Sequence, residues 1–309
     1  MASRKQKLPT DHHFVPQFIL RNFMDGNGEL HAYDRRSPPR GVFSTPPAKV
    51  FFEKNLYTAI KEDGTRNVDL ETGFRPLEHA ASILIRTIID AARQGVVHRL
   101  SLDDRNLLDA FLYFQWKRVP DSINRVVSRS DLKAFGIARL KEFEETTRPL
   151  TEDEKEKFED PATWERIMKN ARRDTIARGS TAIMQVLSGL VFNVVHIRNP
   201  KKAFIVGSHP VSKLHPAGEA QLNGARTELW LPVASDVAIA FTGSGKSQHV
   251  ALWDGDQIRK VNQATAWGSS LIASRSPLLT RSLITHVGSR MHLVGLQSSG
   301  RGSIPSEFG

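Results

Sequence analysis

The sequence predicts an α+β fold: a central helical block between an N-terminal β-hairpin segment and a C-terminal small antiparallel sheet. Three observations carry that reading. Apolar residues recur at helical spacing through the middle of the chain, with Leu77, Ala81, Leu84, Ile85, Ile88 and Ile89 forming the clearest stripe. After residue 190 the pattern changes to short strand-like runs separated by Pro and Gly. Near the start, the turn Asp25-Gly26-Asn27-Gly28 leads into the alternating segment Glu29 to Asp34.

In order, Val15 to Phe23 reads as a short helix, with Pro16 suited to a first helical position and Phe18, Ile19 and Phe23 on one side. Pro38, Pro39, Pro46 and Pro47 mark an irregular loop, and Lys49 to Thr58 holds a second short strand or turn. A helix over Thr72 to Arg93 stops at Gly95. Ser101 with Asp104 is a capping-box pattern that opens a helix running through Arg118 towards Pro120. A third helix is expected over Ser122 to Glu145, broken near Gly136. Thr151 and Glu154 form another capping box, leading into a long helix at about Ala162 to Leu187 that Gly179 interrupts. Strands are expected at Val191 to Arg198, Ala203 to Val206, Thr227 to Leu231 and Val237 to Thr242, and a last helix over Asp256 to Ser274.

These elements compose one α+β domain over residues 11–296: a hairpin segment (11–60), a helical block (72–187), and a small sheet with a closing helix (190–275). A mobile basic N-terminus (1–10) and a flexible Ser- and Gly-rich tail (297–309) flank it. With 309 residues the chain can bury a full core. Its 43 Lys and Arg against 33 Asp and Glu give a net charge of +10, which points to a polyanionic partner such as nucleic acid. The absence of cysteine excludes disulfides, thiolate nucleophiles and Cys-based zinc sites. The start lacks the apolar run of a secretory signal and no stretch approaches the ~20 apolar residues that span a bilayer, so the expectation is a cytoplasmic protein with no membrane contact.

The best candidate site is Asp11-His12-His13-Phe14-Val15-Pro16, where two imidazoles precede an apolar anchor and a helix N-terminus. That position favours an anion such as phosphate and a neutral imidazole. The string His12 to Phe23, with Ala32-Tyr33-Asp34, Glu53 to Tyr57, Glu78, Arg118-Val119-Pro120 and Ala203 to Val206 leading to His209-Pro210-Val211, resembles the uncharacterised bacterial family catalogued as domain of unknown function 4238. Where members of that family typically read Thr-Ser-Asp-x-Pro, this chain reads Val206-Gly207-Ser208-His209-Pro210, without the aspartate.

The His-His-x-Val-Pro string also resembles the first catalytic segment of His-Me-finger (HNH-type) nucleases. That resemblance implies metal-dependent hydrolysis of a nucleic-acid phosphodiester, DNA or RNA. One His would activate water beside a divalent ion, Mg, Mn or Zn. The candidate catalytic residues are His13, His12 and Glu78. Candidate metal ligands are Asp11, His12, Glu53 and Asn55, and candidate phosphate binders are Arg21, Lys54 and Arg118. The second His or Asn that closes such a site has only His79 as a nearby helical counterpart. The biological setting expected for such an enzyme is an effector of a bacterial anti-phage or conflict system. Set against it stands a non-catalytic module that binds nucleic acid, a protein partner or a second copy of the chain, in which the His pair only packs and hydrogen-bonds. His209 and His215 mark a second polar cluster. Gly243-Ser244-Gly245-Lys246-Ser247 is not a phosphate loop, because position 240 is Ala where the motif needs Gly.

Overall fold

The computed structural model describes residues 10–120, 129–215, 222, 224–244, 250–252 and 255–294. The basic residues 1–9, the first turns expected from Ser122, positions 245–247 of the Gly-Ser loop and the tail 297–309 lie outside the described residues. In chain order, β1 (Asp11–His13) leads into α1 (Gln17–Leu20), which tightens into a 3-10 turn over Arg21–Phe23. Next come β2 (Leu30–Asp34), β3 (Phe43–Thr45), β4 (Phe52–Lys54) and the small hairpin of β5 (Ala59–Ile60) and β6 (Arg66–Asn67). The helical block comprises α2 (Asp69–Arg93), α3 (Leu102–Lys117), α4 (Arg129–Thr146), α5 (Glu152–Glu159), α6 (Pro161–Ala177) and α7 (Thr181–Gly189). Then follow β7 (Val191–His196), β8 (Val206–Gly207), β9 (Ser212–Leu214), β10 (Glu228–Pro232), β11 (Val237–Thr242), β12 (Val250–Leu252), α8 (Gly255–Gly268), β13 (Leu271–Ser274) and α9 (Pro277–Val294).

The fold is α+β, with helices and strands largely segregated. Its larger sheet has the order β12-β7-β11-β10-β9. The two strands at its centre, β7 and β11, are buried along nearly their whole length, which explains the unbroken apolar run Val237-Ala238-Ile239-Ala240-Phe241. This sheet is not purely antiparallel as expected, because β12 runs parallel to β7. Against the sheet, α2 lays its stripe of Ala81, Leu84, Ile85, Ile88, Ile89 and Ala92, all buried. One apolar core runs from Phe14 to Ala273.

In the expected N-terminal hairpin segment the strands pair beyond their immediate neighbours. β1 pairs with β4, while β2 sits inside a four-stranded sheet of order β3-β2-β13-β8 completed by strands from the other end of the chain. The expected strand Ala203 to Val206 is mostly irregular. The peptide groups of Ala203 and Ile205 bond to the buried Asn262 side chain of α8 (2.8 and 3.0 Å), and Phe204 N–H donates to Ser235 O. A helix side chain thus occupies the place of a neighbouring strand. The helix expected over Asp256 to Ser274 is two elements, α8 and β13, and the closing helix is α9.

Gly136 does not break α4. A Cβ there would lie 2.6 Å from the Trp164 ring of α6, so the glycine lets two helices approach closely. The expected long helix from Ala162 is divided into α6 and α7 beside Gly179, and both capping boxes, Ser101 with Asp104 and Thr151 with Glu154, are present. Among the described residues, no helix is long and apolar enough to cross a membrane.

Candidate acid–base site

The two histidines are adjacent on a strand, so their side chains face opposite ways and meet different surroundings. His12 points inward and is fully buried. Its ring stacks on Tyr57 at 5.5 Å, and its Nδ1 accepts the Tyr57 backbone N–H at 3.0 Å. A nitrogen committed to a peptide N–H is not open to a metal, so His12 pins β1 to the turn after β4. Tyr57 in turn donates its hydroxyl to Arg118 O (3.3 Å), and burial pushes its phenol above the usual range.

His13 faces the other way, half-buried, with its ring tilted against Phe52 at 5.6 Å. Its Nε2 lies 3.5 Å from Gln17 Nε2, and Gln17 Oε1 accepts from Arg21 (3.1 Å). An amide whose oxygen takes the Arg21 N–H turns its NH2 group towards the ring, an arrangement that suits a neutral imidazole with Nε2 as acceptor. Burial also lowers the His13 pKa, against the opposing effects of the Ala48 and Pro47 carbonyls and of Asp11 and Glu78.

A cavity of about 300 Å3 opens at this ring, lined by His13, Gln17, Arg21, Glu71, Arg75 and Glu78 among others. Glu71, Arg75 and Glu78 are spaced four and seven residues apart on α2 and therefore share a helix face. Burial raises the Glu71 pKa, the like charge of Glu78 raises it further, and Arg118 and Arg75 oppose the shift. Within one cavity, burial thus pushes the His13 pKa down and the Glu71 pKa up.

Several expected roles change. Arg118 is fully buried and does not meet a substrate. It donates to Phe14 O (3.1 Å) and to Glu78 Oε1 (2.5 Å), and lies 5.3 Å over the Phe74 ring, binding β1, α2 and the end of α3 together. Gln115 Oε1 accepts from the Nε and Nη2 of the same guanidinium, at 3.0 and 2.6 Å. Glu78 does line the cavity, as the negative charge that Arg118 holds in place.

The expected metal set of Asp11, His12, Glu53 and Asn55 is not gathered. His12 and Glu53 are directly opposed across β1 and β4, as are Asp11 and Lys54, so the four candidates fall on both faces of the ribbon. Glu53, Lys54 and Asn55 line a separate cleft beside α6. Asn55 has φ +56°, and its backbone N–H bonds to Thr10 O (2.7 Å), so it serves a left-handed turn. Among the described residues, no three His, Asp or Glu side chains come together as a metal site. His79 is exposed and outside the cavity.

Gln17, Glu71 and Arg75 were not visible as site residues in the sequence. Their only signal was the spacing of Glu71, Arg75 and Glu78 on one helix face, and nothing in the linear string sets that face against His13.

Set against curated proteins and against solved structures, the chain finds no match. The profile of the family described as Protein of unknown function (DUF4238) matches residues 11–275, from the first residue of β1 to just past β13. It covers the His pair, α2 and both larger sheets, and the chain belongs to that family.

Proposed function

We propose that the chain is a nuclease that cleaves nucleic-acid phosphodiesters by general acid–base catalysis in the His13 cavity. One observation carries the reading: His13 and Glu71 line one cavity, and their surroundings push them in opposite senses, His13 towards the neutral base and Glu71 towards the protonated acid. In the proposed step His13 takes a proton from water as its oxygen bonds to phosphorus. The bond to the leaving sugar oxygen breaks as Glu71 gives that oxygen a proton, and exchange with solvent restores both groups. Arg21 and Arg75 supply N–H donors to the phosphate oxygens as charge grows on them.

The residues first expected to hold a divalent ion do not fit one, being divided between two faces of the ribbon, and no step is assigned to a metal. The biological part of the proposal is a cytoplasmic effector of an anti-phage or conflict system.

Purified protein incubated with single- and double-stranded DNA and RNA tests the chemistry. Cleavage is expected with and without EDTA, and His13→Ala is expected to lose at least about 100-fold, the usual contribution of a positioned general base. Absence of cleavage on all four substrates, or full activity in His13→Ala, overturns the proposal. Loss of activity on chelation replaces it with metal-assisted hydrolysis. Induced expression in a bacterial host is expected to arrest growth for the native chain and not for His13→Ala.

A further inference from the structure

Away from the His13 cavity, two clefts of about 850 and 700 Å3 flank α8 and share the lining residues Gln263 and His286. The first holds Lys213, Arg226 and Lys260 together with His209 and His215. Its one carboxylate among the described lining residues, Glu228, accepts from Trp230 Nε1 at 2.8 Å. The second is lined by Lys201, Lys202, Arg259 and Arg275, with no carboxylate among its described lining residues. Seven cations against one carboxylate far exceed the modest excess of the whole chain.

Two indoles accompany this charge. Trp267, at 43% exposure, and Trp116 both line the first cleft. Cationic clefts of this volume fit a polyanion, and the aromatic side chains lining the first fit unpaired bases, which stack without regard to sequence.

We infer that the two clefts form one continuous track across α8 that binds single-stranded nucleic acid, with Lys201, Arg259 and Lys260 on the phosphates and Trp267 stacking a base. The track uses no residue of the His13 cavity and stands whether or not that cavity is catalytic.

The test is fluorescence anisotropy of a labelled single strand of about 12 nucleotides, within the site size of such grooves. A duplex of equal length and a heparin fragment serve as comparisons. All measurements use the full-length chain carrying His13→Ala, so that turnover cannot consume the probe. The single strand is expected to bind with a log–log salt slope of about −0.7 per phosphate engaged. Lys201→Glu with Arg259→Glu, and separately Lys260→Glu, are expected to weaken binding and flatten that slope. Trp267→Ala is expected to cost about tenfold, as the loss of one stacked base does. All four positions are exposed, and thermal melts equal to the parent's establish that the variants are folded.

Unchanged affinity in the charge reversals overturns the inference and places binding elsewhere on the chain. Equal affinity for heparin and the single strand, with no effect of Trp267→Ala, also overturns it and leaves a site for anions in general. Duplex bound more tightly than the single strand assigns the groove to the wrong class of partner. Cleavage by the native chain is read separately, so failure of the nuclease proposal and failure of this one are distinguishable.

Discussion

The two residues whose surroundings oppose their charging make the sharpest prediction. If His13 must be neutral and Glu71 protonated, the pH–rate profile is a bell. Its acid limb lies below the ordinary imidazole value of 6.5, because burial lowers His13, and its alkaline limb lies above the ordinary carboxyl value of 4.5, because burial and Glu78 raise Glu71. In Glu71→Gln the alkaline limb should disappear along with most of the rate, and retention of that limb would remove Glu71 from the mechanism.

Stability carries the same signs. Above pH 6.5 His13 is neutral in both states and costs nothing. Below it the unfolded chain takes up the proton first, so stability falls with pH until the folded residue also protonates. Asn at position 13 should flatten that part of a stability–pH curve. Glu78→Ala tests a different role, because it strands the buried Arg118 charge. The expected cost is about 3 kcal/mol in denaturant unfolding, and Glu78→Gln, which can still accept from the guanidinium, should cost less.

At the level of elements, much was legible in the sequence, and the misses share a cause. The capping boxes at Ser101 and Thr151, the stripe of α2 and the alternation of β2, where Leu30 and Ala32 are buried and His31 is not, are local signals and appear where local rules put them. β13 was absorbed into a helix because Leu271-Ile272-Ala273-Ser274 is fully buried, and a short apolar run has no period that separates strand from helix. Ala203 to Val206 reads as a strand because the sequence cannot show that Asn262, 57 residues on from Ile205, supplies hydrogen bonds to Ala203 and Ile205.

The candidate site divides in the same way. His13 and Glu78 were visible as residue types, whereas the inward turn of His12, the burial of Arg118 and the participation of Glu71 depend on long-range packing. Gly136 offers a test at this scale. Trp164 is held by its Nε1 bond to Phe158 O (2.7 Å), so it cannot yield to a new methyl group. Gly136→Ala should therefore destabilise α4 against α6 by about 1–3 kcal/mol, despite the better helix propensity of Ala. A stability gain in that variant would mean that the two helices separate at no cost.

Across the whole molecule, distant segments are interlocked. Asn22 donates its side-chain amide to Val233 O (2.9 Å) and accepts the Ser235 N–H through its backbone (3.0 Å), so the arm bearing Arg21 is fastened to the corner between β10 and β11. At that corner Asp236 takes both Nε and Nη2 of Arg93, each at 2.8 Å, which ties the end of α2 to the same point. The two walls of the His13 cavity, β1–α1 and α2, are therefore anchored to one turn more than 140 residues later in the chain. Hydrogen exchange should show β7 and β11 as the slowest-opening strands. Asp236→Ala should loosen the Arg21 arm and the last turn of α2 together. Protection lost at only one of them would mean that the corner does not couple them.

The insertion of β2 between β3 and β13 also matters for how the protein is made. A ribosome releases the first thirty-four residues long before it reaches position 271, and until then one edge of β2 has no partner strand. In this topology the growing polypeptide cannot finish its architecture while most of it is still being translated, and the β13 edge of β2 stays open until residue 271 is made.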